Sequence, residues 1–442
     1  MTTAQSSYPR VLVLAREPFN YVFGAGITMS NLFRGWPADR LASVYWLGLE
    51  PDRAVCQLSY RLDSEIRWRF PLNRLLPQEA SPHPIQGEVG RRALSGPQPQ
   101  SIGRQAWRWM NRKIGGMGLM RGTSLSERLK DWVTQFSPDI IYSVPTDLAT
   151  IRLVASLVRA TRAKLAVHIY DDWPATLGNG GILEPLYAQT TSPALDDLLE
   201  LADARIAIGD DMALEYSRRY GHPFYPFQNC PEAEPWATAR SERTCDHERG
   251  FIFRFFGAIY RNGNLQTLAC FARAISLLSD QTKCRLEIHT STGAIDEYLP
   301  LFNGSQGVSL HPVVANDVQM AQLYANADAL VLAYDFDEHS RSRFRYSMAT
   351  KLPTYLLSGT PIVIYAPPDL AVTRHAERTQ TGYIIGEELP PVALADRLRQ
   401  FADSRVLRAE IGLRARQLGL HRYCADTVRP RFWALLRDAS AL

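Results

Sequence analysis

The stretch SLSERLKDWVTQFSPDIIYSVPTDLATIRLVASLVRATRAKLAVHIY, residues 124–170, decides the fold class. Ser124 stands three residues before Glu127, a capping-box spacing that predicts a helix running to Phe136. Asp139 to Val144 is a short apolar run, and Leu165 to Tyr170 is another. Between them, from Thr146 to Val158, apolar residues recur at helical spacing. Strands that are apolar on both faces and alternate with amphipathic helices belong to a parallel sheet covered by helices on each side. The region is therefore α/β.

The same alternation extends in both directions. Upstream, Val11 to Ala15 reads as a buried strand. It is followed by a loop with Gly24 and Gly26, a helix carrying Ile27, Met29, Leu32 and Phe33, and a second strand from Leu41 to Leu47. Residues 52–100, rich in Pro, Arg and Gly and without periodicity, read as an insertion. Downstream, a helix at Leu195–Leu201, a strand at Ala204–Ile208 and a helix at Met212–Tyr220 carry the first domain to about residue 230. The charged stretch 231–249 reads as a connection between domains. A second series begins with the strand Phe251–Phe256 and the helix Leu265–Leu278. It continues through strands at Arg285–His289, near Val308, at Ala329–Ala333 and at Pro361–Tyr365, with helices around Val318–Ala325 and Leu352–Leu357. Two Rossmann-like domains, 1–230 and 250–405, are expected, with helices over 406–442 in which Phe432, Leu435 and Leu436 pack back onto the domains.

Composition supports two cores rather than disorder: the chain has 442 residues, 46% of them hydrophobic. A net charge of +4 implies no nucleic-acid partner. The six cysteines show no CxxC spacing, so neither a metal site nor a disulfide scaffold is expected, and they read as thiols in a reducing compartment. No apolar run approaches the ~20 residues of a membrane span. A cytoplasmic location is expected.

Ligands of open α/β sheets gather beyond the carboxyl ends of the strands, so the residues there are the candidates. Gly24 and Gly26 allow close backbone approach before a helix, or form an ordinary turn. Asp171 and Asp172 follow a strand. A helix cap accounts for one of them, leaving the other to orient an acceptor hydroxyl or take its proton. His168 is either a third member of that group or a satisfied core imidazole. In the second domain Arg261, between Gly257 and Asn264, offers a fork to phosphate or is a solvated cation. Thr350 and Lys351 stand at a helix start with Arg343 and Arg345 just upstream, a coincidence suited to a diphosphate.

These segments resemble the GT-4-like group of GT-B glycosyltransferases over nearly the whole chain. The resemblance rests on Gly24-Ala-Gly26 before a helix, on Tyr170-Asp171-Asp172-Trp173-Pro174 and on Ile208-Gly-Asp210 leading to Gln228-Asn229. In the second half it rests on Phe256-Gly257-Ala258-Ile259 and on the stretch from Arg345 through Ser347, Thr350, Lys351 and Thr354 to Gly359-Thr-Pro361. The family's paired glutamates are replaced by Tyr346 and Thr354. The Arg and Lys that often follow the glycine of the second domain are displaced, which puts more weight on Lys351. The family histidine corresponds to His168 or Tyr170.

The resemblance implies two Rossmann-like domains facing across a cleft, with a nucleotide-diphosphate sugar on the second and a glycan, lipid-linked or small-molecule acceptor on the first. It implies retaining transfer of a hexose-like sugar without a metal, and no further cofactor is called for. The expected donor contacts are Gly24, Gly26, Arg261, Arg345, Ser347, Thr350, Lys351 and Thr354; the expected catalytic residues are Asp172, His168 and Asp171. The alternatives are a sugar-nucleotide epimerase or a sugar-nucleotide-binding protein without turnover. A separate segment, Arg104-Gln-Ala-Trp107-Arg108-Trp109-Met110-Asn-Arg112-Lys113-Ile114, alternates cations with aromatic and aliphatic groups. It reads as an interfacial helix on the inner face of an anionic plasma membrane, or as buried tryptophans with solvated arginines.

Overall fold

The structure is a computed structural model describing residues 8–441 apart from 22–23, 48, 63–64, 69–114, 179, 242–249 and 315. The segment 104–114 thus lies outside the described residues, as does most of the insertion expected over 52–100. The chain divides into two compact units. The described residues through Gln228, together with those from Arg429 onward, form one, and Asn229–Val428 the other.

In the first unit the elements are β1 (Val11–Ala15), α1 (Ala25–Phe33), β2 (Leu41–Tyr45), β3 (Leu58–Arg61), β4 (Ile66–Trp68), β5 (Arg121–Thr123), α2 (Glu127–Phe136), β6 (Ile140–Val144), α3 (Leu148–Thr161), β7 (Lys164–Ile169), α4 (Glu184–Leu201), β8 (Ala204–Ala207), α5 (Asp210–Tyr220) and β9 (Tyr225–Pro226). Seven strands form one parallel sheet in the order β3-β2-β1-β6-β7-β8-β9, while β4 and β5 make a separate antiparallel ribbon. Every residue of β1, β2 and β6 is buried, as the unbroken apolar runs require when helices cover both faces. The helix beginning at Glu127 is capped by Ser126 rather than by Ser124. The Ser126 hydroxyl, one residue before the first helical position, accepts from Leu129 N at 3.1 Å. Asp147 caps α3 in the same way through Thr150 N at 2.8 Å.

The second unit contains α6 (Glu234–Ser241), β10 (Ile252–Phe256), α7 (Leu265–Thr282), β11 (Arg285–Thr290), α8 (Thr292–Phe302), β12 (Val308–Pro312), α9 (Asp317–Ala325), β13 (Ala329–Ala333), α10 (Glu338–Phe344), α11 (Leu352–Ser358), β14 (Ile362–Tyr365), α12 (Ala371–Thr379), β15 (Tyr383–Ile385), α13 (Pro391–Asp403) and α14 (Arg405–Leu418). Its six strands are also parallel, in the order β12-β11-β10-β13-β14-β15. Phe253 and Phe255 alternate onto one face of β10 and pack with Leu268, Phe271 and Ile275 of α7, the period-two and period-3.6 patterns meeting in one core. The stretch 231–249, expected as a bare connection, contains α6. Trp236 in that helix is only 2% exposed and its ring lies 5.1 Å from that of Tyr324, so the described part is built into the second unit.

The last helix, α15 (Ala425–Ala441), returns Phe432 to the first unit. Phe432 is fully buried, edge-on to Phe33 at 5.2 Å and to Phe227 at 5.5 Å, and Leu436 is buried beside it. Leu435 is half-buried. The indole N–H of Trp433 donates to Leu32 O at 2.8 Å and ties the helix to the end of α1.

Candidate functional site

Each sheet has a topological switch point, where the chain reverses its direction of winding and leaves a crevice at the strand ends. In the first unit it falls between β1 and β6, in the second between β10 and β13.

At the first crevice Gly24 has φ 64°, a left-handed conformation that opens the turn into α1 and that a side chain would strain. Gly26 serves packing. A Cβ there would lie 1.8 Å from Asn20 Nδ2 and 2.7 Å from Pro18 O, so the first turn of α1 closes on its own loop and the room beside Gly26 is already filled. The room beside Gly24 faces Glu17, whose Oε1 lies 3.6 Å from where a Cβ would be. Burial pushes the Glu17 carboxyl up; Arg16 opposes that shift and the charge of Asp171 adds to it, so the two carboxylates sense each other. Glu17 escaped the reading of the sequence, although it is the second residue beyond β1 just as Asp171 is the second beyond β7.

The three expected catalytic residues separate. Asp171 is exposed at the strand end. Asp172, 1% exposed, turns inward: its Oδ1 accepts from the Tyr216 hydroxyl at 2.7 Å and from Arg219 Nη1 at 3.1 Å. Burial pushes the Asp172 carboxyl up against the pull of Tyr216 and Arg219. It braces the loop after β7 against α5. His168 also lies inside the unit. It is fully buried within β7, with Nδ1 2.7 Å from the Tyr142 hydroxyl and Nε2 3.0 Å from Phe227 O. Burial pushes its pKa down to about 3, and both ring nitrogens are engaged, so it is a satisfied core imidazole rather than an acid or base. Tyr170, one residue beyond the strand and half-buried, reaches the Tyr142 hydroxyl at 3.0 Å.

In the second unit Gly257 follows β10 with φ 129°. That φ favours glycine, and a Cβ there would come within 2.8 Å of Nζ at the flexible end of Lys351. That ammonium donates to Phe256 O at 2.5 Å and lies 4.0 Å from the centre of the Phe255 ring. Among the described residues it has no carboxylate partner, and burial pushes its pKa down to about 7. A buried amine held by one carbonyl and one ring face is poised to gain an anion. The start of α7, by contrast, is closed. Asp335, 1% exposed, accepts from Gly263 N at 3.1 Å and Thr267 N at 2.8 Å, so the protein's own carboxylate fills the position a phosphate would take there.

The other expected donor contacts are engaged within the protein. Arg261 is exposed and pairs with Glu297 at 3.1 Å. Arg345 pairs with Asp369 at 3.1 Å, alongside Arg341, and fastens the end of α10 to the loop after β14. Ser347 is buried and donates to Arg343 O at 3.2 Å. The Thr350 carbonyl accepts from Asn229 Nδ2 at 3.0 Å, and the Thr354 hydroxyl donates to Lys351 O at 2.7 Å. These last contacts brace the backbone around Lys351. Arg261 is tied instead to Glu297 of α8. Among the described residues no three His, Cys, Asp or Glu side chains gather into a metal-holding group.

Comparison of the sequence with protein-family models and with curated proteins returns no match. Solved structures do match along their whole length. Sucrose-phosphate synthase from Thermosynechococcus elongatus is similar with a TM-score of 0.63 at 13% identity, over 98% of this chain and 99% of that one. Anabaena HepE in complex with UDP is similar with a TM-score of 0.62 at 13% identity, over 97% of this chain and 100% of that one. α,α-Trehalose 6-phosphate synthase from Burkholderia multivorans follows with a TM-score of 0.56 at 11% identity, over 98% and 99%. The two Rossmann-like units and the helical C-terminal segment are the GT-B fold.

Proposed function

We propose that this chain is a glycosyltransferase of the GT-4-like group that moves a hexose-like sugar from a nucleotide-diphosphate donor to a glycan, lipid-linked or small-molecule acceptor. The observation that carries the reading is Lys351, a half-buried lysine whose ammonium sits at the carboxyl end of β10 with no acidic partner among the described residues. Charge developing on a departing diphosphate is what such a group stabilises, and it does so without a metal. Asp171 and Glu17, just beyond strands of the first unit, are the groups assigned to an acceptor hydroxyl, Asp171 orienting it or taking its proton. Transfer with retention of the anomeric configuration is part of the proposal and follows the family resemblance.

The test is a thermal-shift panel of nucleoside diphosphates and their sugars, with UDP-sugars first because HepE was solved with UDP. Stabilisation by one nucleotide, lost in Lys351→Met, supports the donor site; indifference to every nucleotide sinks it. Incubating the chosen nucleotide sugar with and without acceptor then separates the rivals. An epimerase changes the donor alone, and a binding protein changes nothing.

We further propose that the protein works in the cytosol against an anionic membrane. The cationic and aromatic sequence of residues 104–114 motivates this. Exposed apolar side chains among the described residues, such as Ile182, 84% exposed, and Leu186, 53%, add to that motive. Among the described residues no helix is long and apolar enough to cross a membrane.

A further inference from the structure

The helix α14 is fastened along one side and exposed along the other. Gly412 and the following Gly419 press this part of the chain backbone to backbone onto the end of α11: a Cβ at Gly412 would lie 2.4 Å from Gly359 O, and one at Gly419 2.8 Å from Leu357 N. Ile411 and Ala415 are buried on the inner side, and Arg416 Nη1 donates to Leu357 O at 3.0 Å. These contacts fix which side of the helix faces out. That side carries Val406 and Leu413, and Leu420 continues the series in the π-helical turn Gly419–Tyr423. The three are 71%, 57% and 37% exposed. An interval of seven residues is close to two helical turns, so they form one stripe, to which the exposed Ala409 adds. At about 100° per residue, Arg405 falls on one flank of the stripe and Arg414 on the other, and both are exposed. Glu410, the only acid in α14, pairs with Arg414 at 3.4 Å.

We infer that this side of α14 is a docking surface for an anionic membrane. Apolar residues exposed singly are ordinary on a protein surface, whereas a row of them between cations is the pattern of a helix that lies in a lipid headgroup layer. Arg405 and Arg414 reach lipid phosphates while Val406, Leu413 and Leu420 enter the acyl boundary between them. A second copy of the chain fits the stripe less well. The stripe spans about two heptads where a coiled coil needs three to four. One helix of about four turns also presents far less than the roughly 800 Å² that each partner of a stable dimer buries, and pairing would set the same arginines against one another. The inference rests on the membrane reading above only in naming the same partner. Its residues are separate from 104–114 and belong to the second unit.

The test is co-sedimentation of the full chain with vesicles of phosphatidylcholine, alone or mixed equally with phosphatidylglycerol. Wild type is expected on the mixed vesicles at low salt and not on the neutral ones; no binding to the mixed vesicles overturns the inference. Val406→Ser with Leu413→Ser should weaken binding about tenfold with the melting temperature unchanged, since both positions are exposed. Arg405→Gln with Arg414→Gln should weaken it about fivefold for each arginine, and Glu410→Lys should strengthen it about fivefold or more, a gain that no folding defect produces. Wild-type affinity in all three variants overturns the inference. Arg108→Glu with Arg112→Glu separates the two membrane surfaces. Binding lost in the α14 variants alone supports this one against the segment, and binding lost in the segment variant alone does the reverse. Sedimentation velocity without lipid covers the rival occupant: a dimer that the paired serine substitutions dissociate overturns the assignment to lipid.

Discussion

Lys351 makes donor affinity a function of pH. Its ammonium has no carboxylate partner among the described residues and titrates near neutrality, about 7. A nucleotide sugar keeps both of its diphosphate charges across this range, so it needs the protonated amine. If only that form binds, the apparent dissociation constant is the intrinsic one divided by the protonated fraction, which falls about tenfold between pH 6 and pH 8. Calorimetric titration with a nucleotide sugar should show that loss. In buffers of different ionisation enthalpy, uptake should approach ~0.9 proton per site at pH 8. Lys351→Arg should flatten the profile, since a guanidinium stays charged, and Lys351→Met should flatten it at weak affinity. The same burial costs the fold. An amine whose pKa is lowered on folding makes the unfolded chain the better proton binder between about pH 7 and pH 10.5, so stability rises with pH through that window and the full cost is present below it. Lys351→Met should therefore be the more stable protein at pH 7, by on the order of a few kcal/mol. A wild-type affinity that stays constant from pH 6 to pH 8, or a Met variant that melts lower, refutes the reasoning.

The other expectations divide structure from chemistry. Asp171→Asn should depress transfer with donor affinity and melting temperature unchanged. Asp172→Ala should instead cost about 2 kcal/mol by leaving the buried Tyr216 hydroxyl without its acceptor, while Arg219 keeps Glu215, which chemical denaturation measures; equal stability of the two variants removes the distinction. Because the His168 pKa is lowered on folding, the unfolded chain takes up a proton below ~6.5 that the folded chain refuses. Stability should fall by about 1.4 kcal/mol per pH unit from there toward pH 3 through this group alone, and denaturant midpoints for wild type and His168→Gln should converge as the pH drops. Phe432→Ala should cost about 3–5 kcal/mol by emptying the aromatic cluster around Phe33 and Phe227, seen as a lowered melting temperature. Co-sedimentation with anionic vesicles should fall with salt and with Arg108 and Arg112 replaced by Glu; absence of binding at low salt ends the membrane proposal.

Much of this protein is written locally. Apolar runs such as Val11–Ala15 and Ala329–Ala333 can only be strands buried on both faces, and the helical periodicity between such runs sets the α/β order. Two tandem series and the two loops that bear the site follow from that. Elements with weaker local patterns were missed: the short β15, and α10 with its charged sequence Glu-His-Ser-Arg-Ser-Arg-Phe. The chemistry at the strand ends was legible as position but not as role. Whether Asp171 or Asp172 faces water depends on Tyr216 and Arg219, more than 40 residues away in α5, which draw one carboxylate inward and leave its neighbour outside. His168 looked like part of a reactive cluster until Tyr142 and Phe227 claimed both its nitrogens. Lys351 reaches a carbonyl 95 residues earlier in the chain, and Asp335 closes a helix start 68 residues upstream. Periodicity reports which face of an element is buried because that depends on the element alone. The partner, protonation state and exposure of a polar side chain depend on what the folded chain brings against it, and only the tertiary structure decides that.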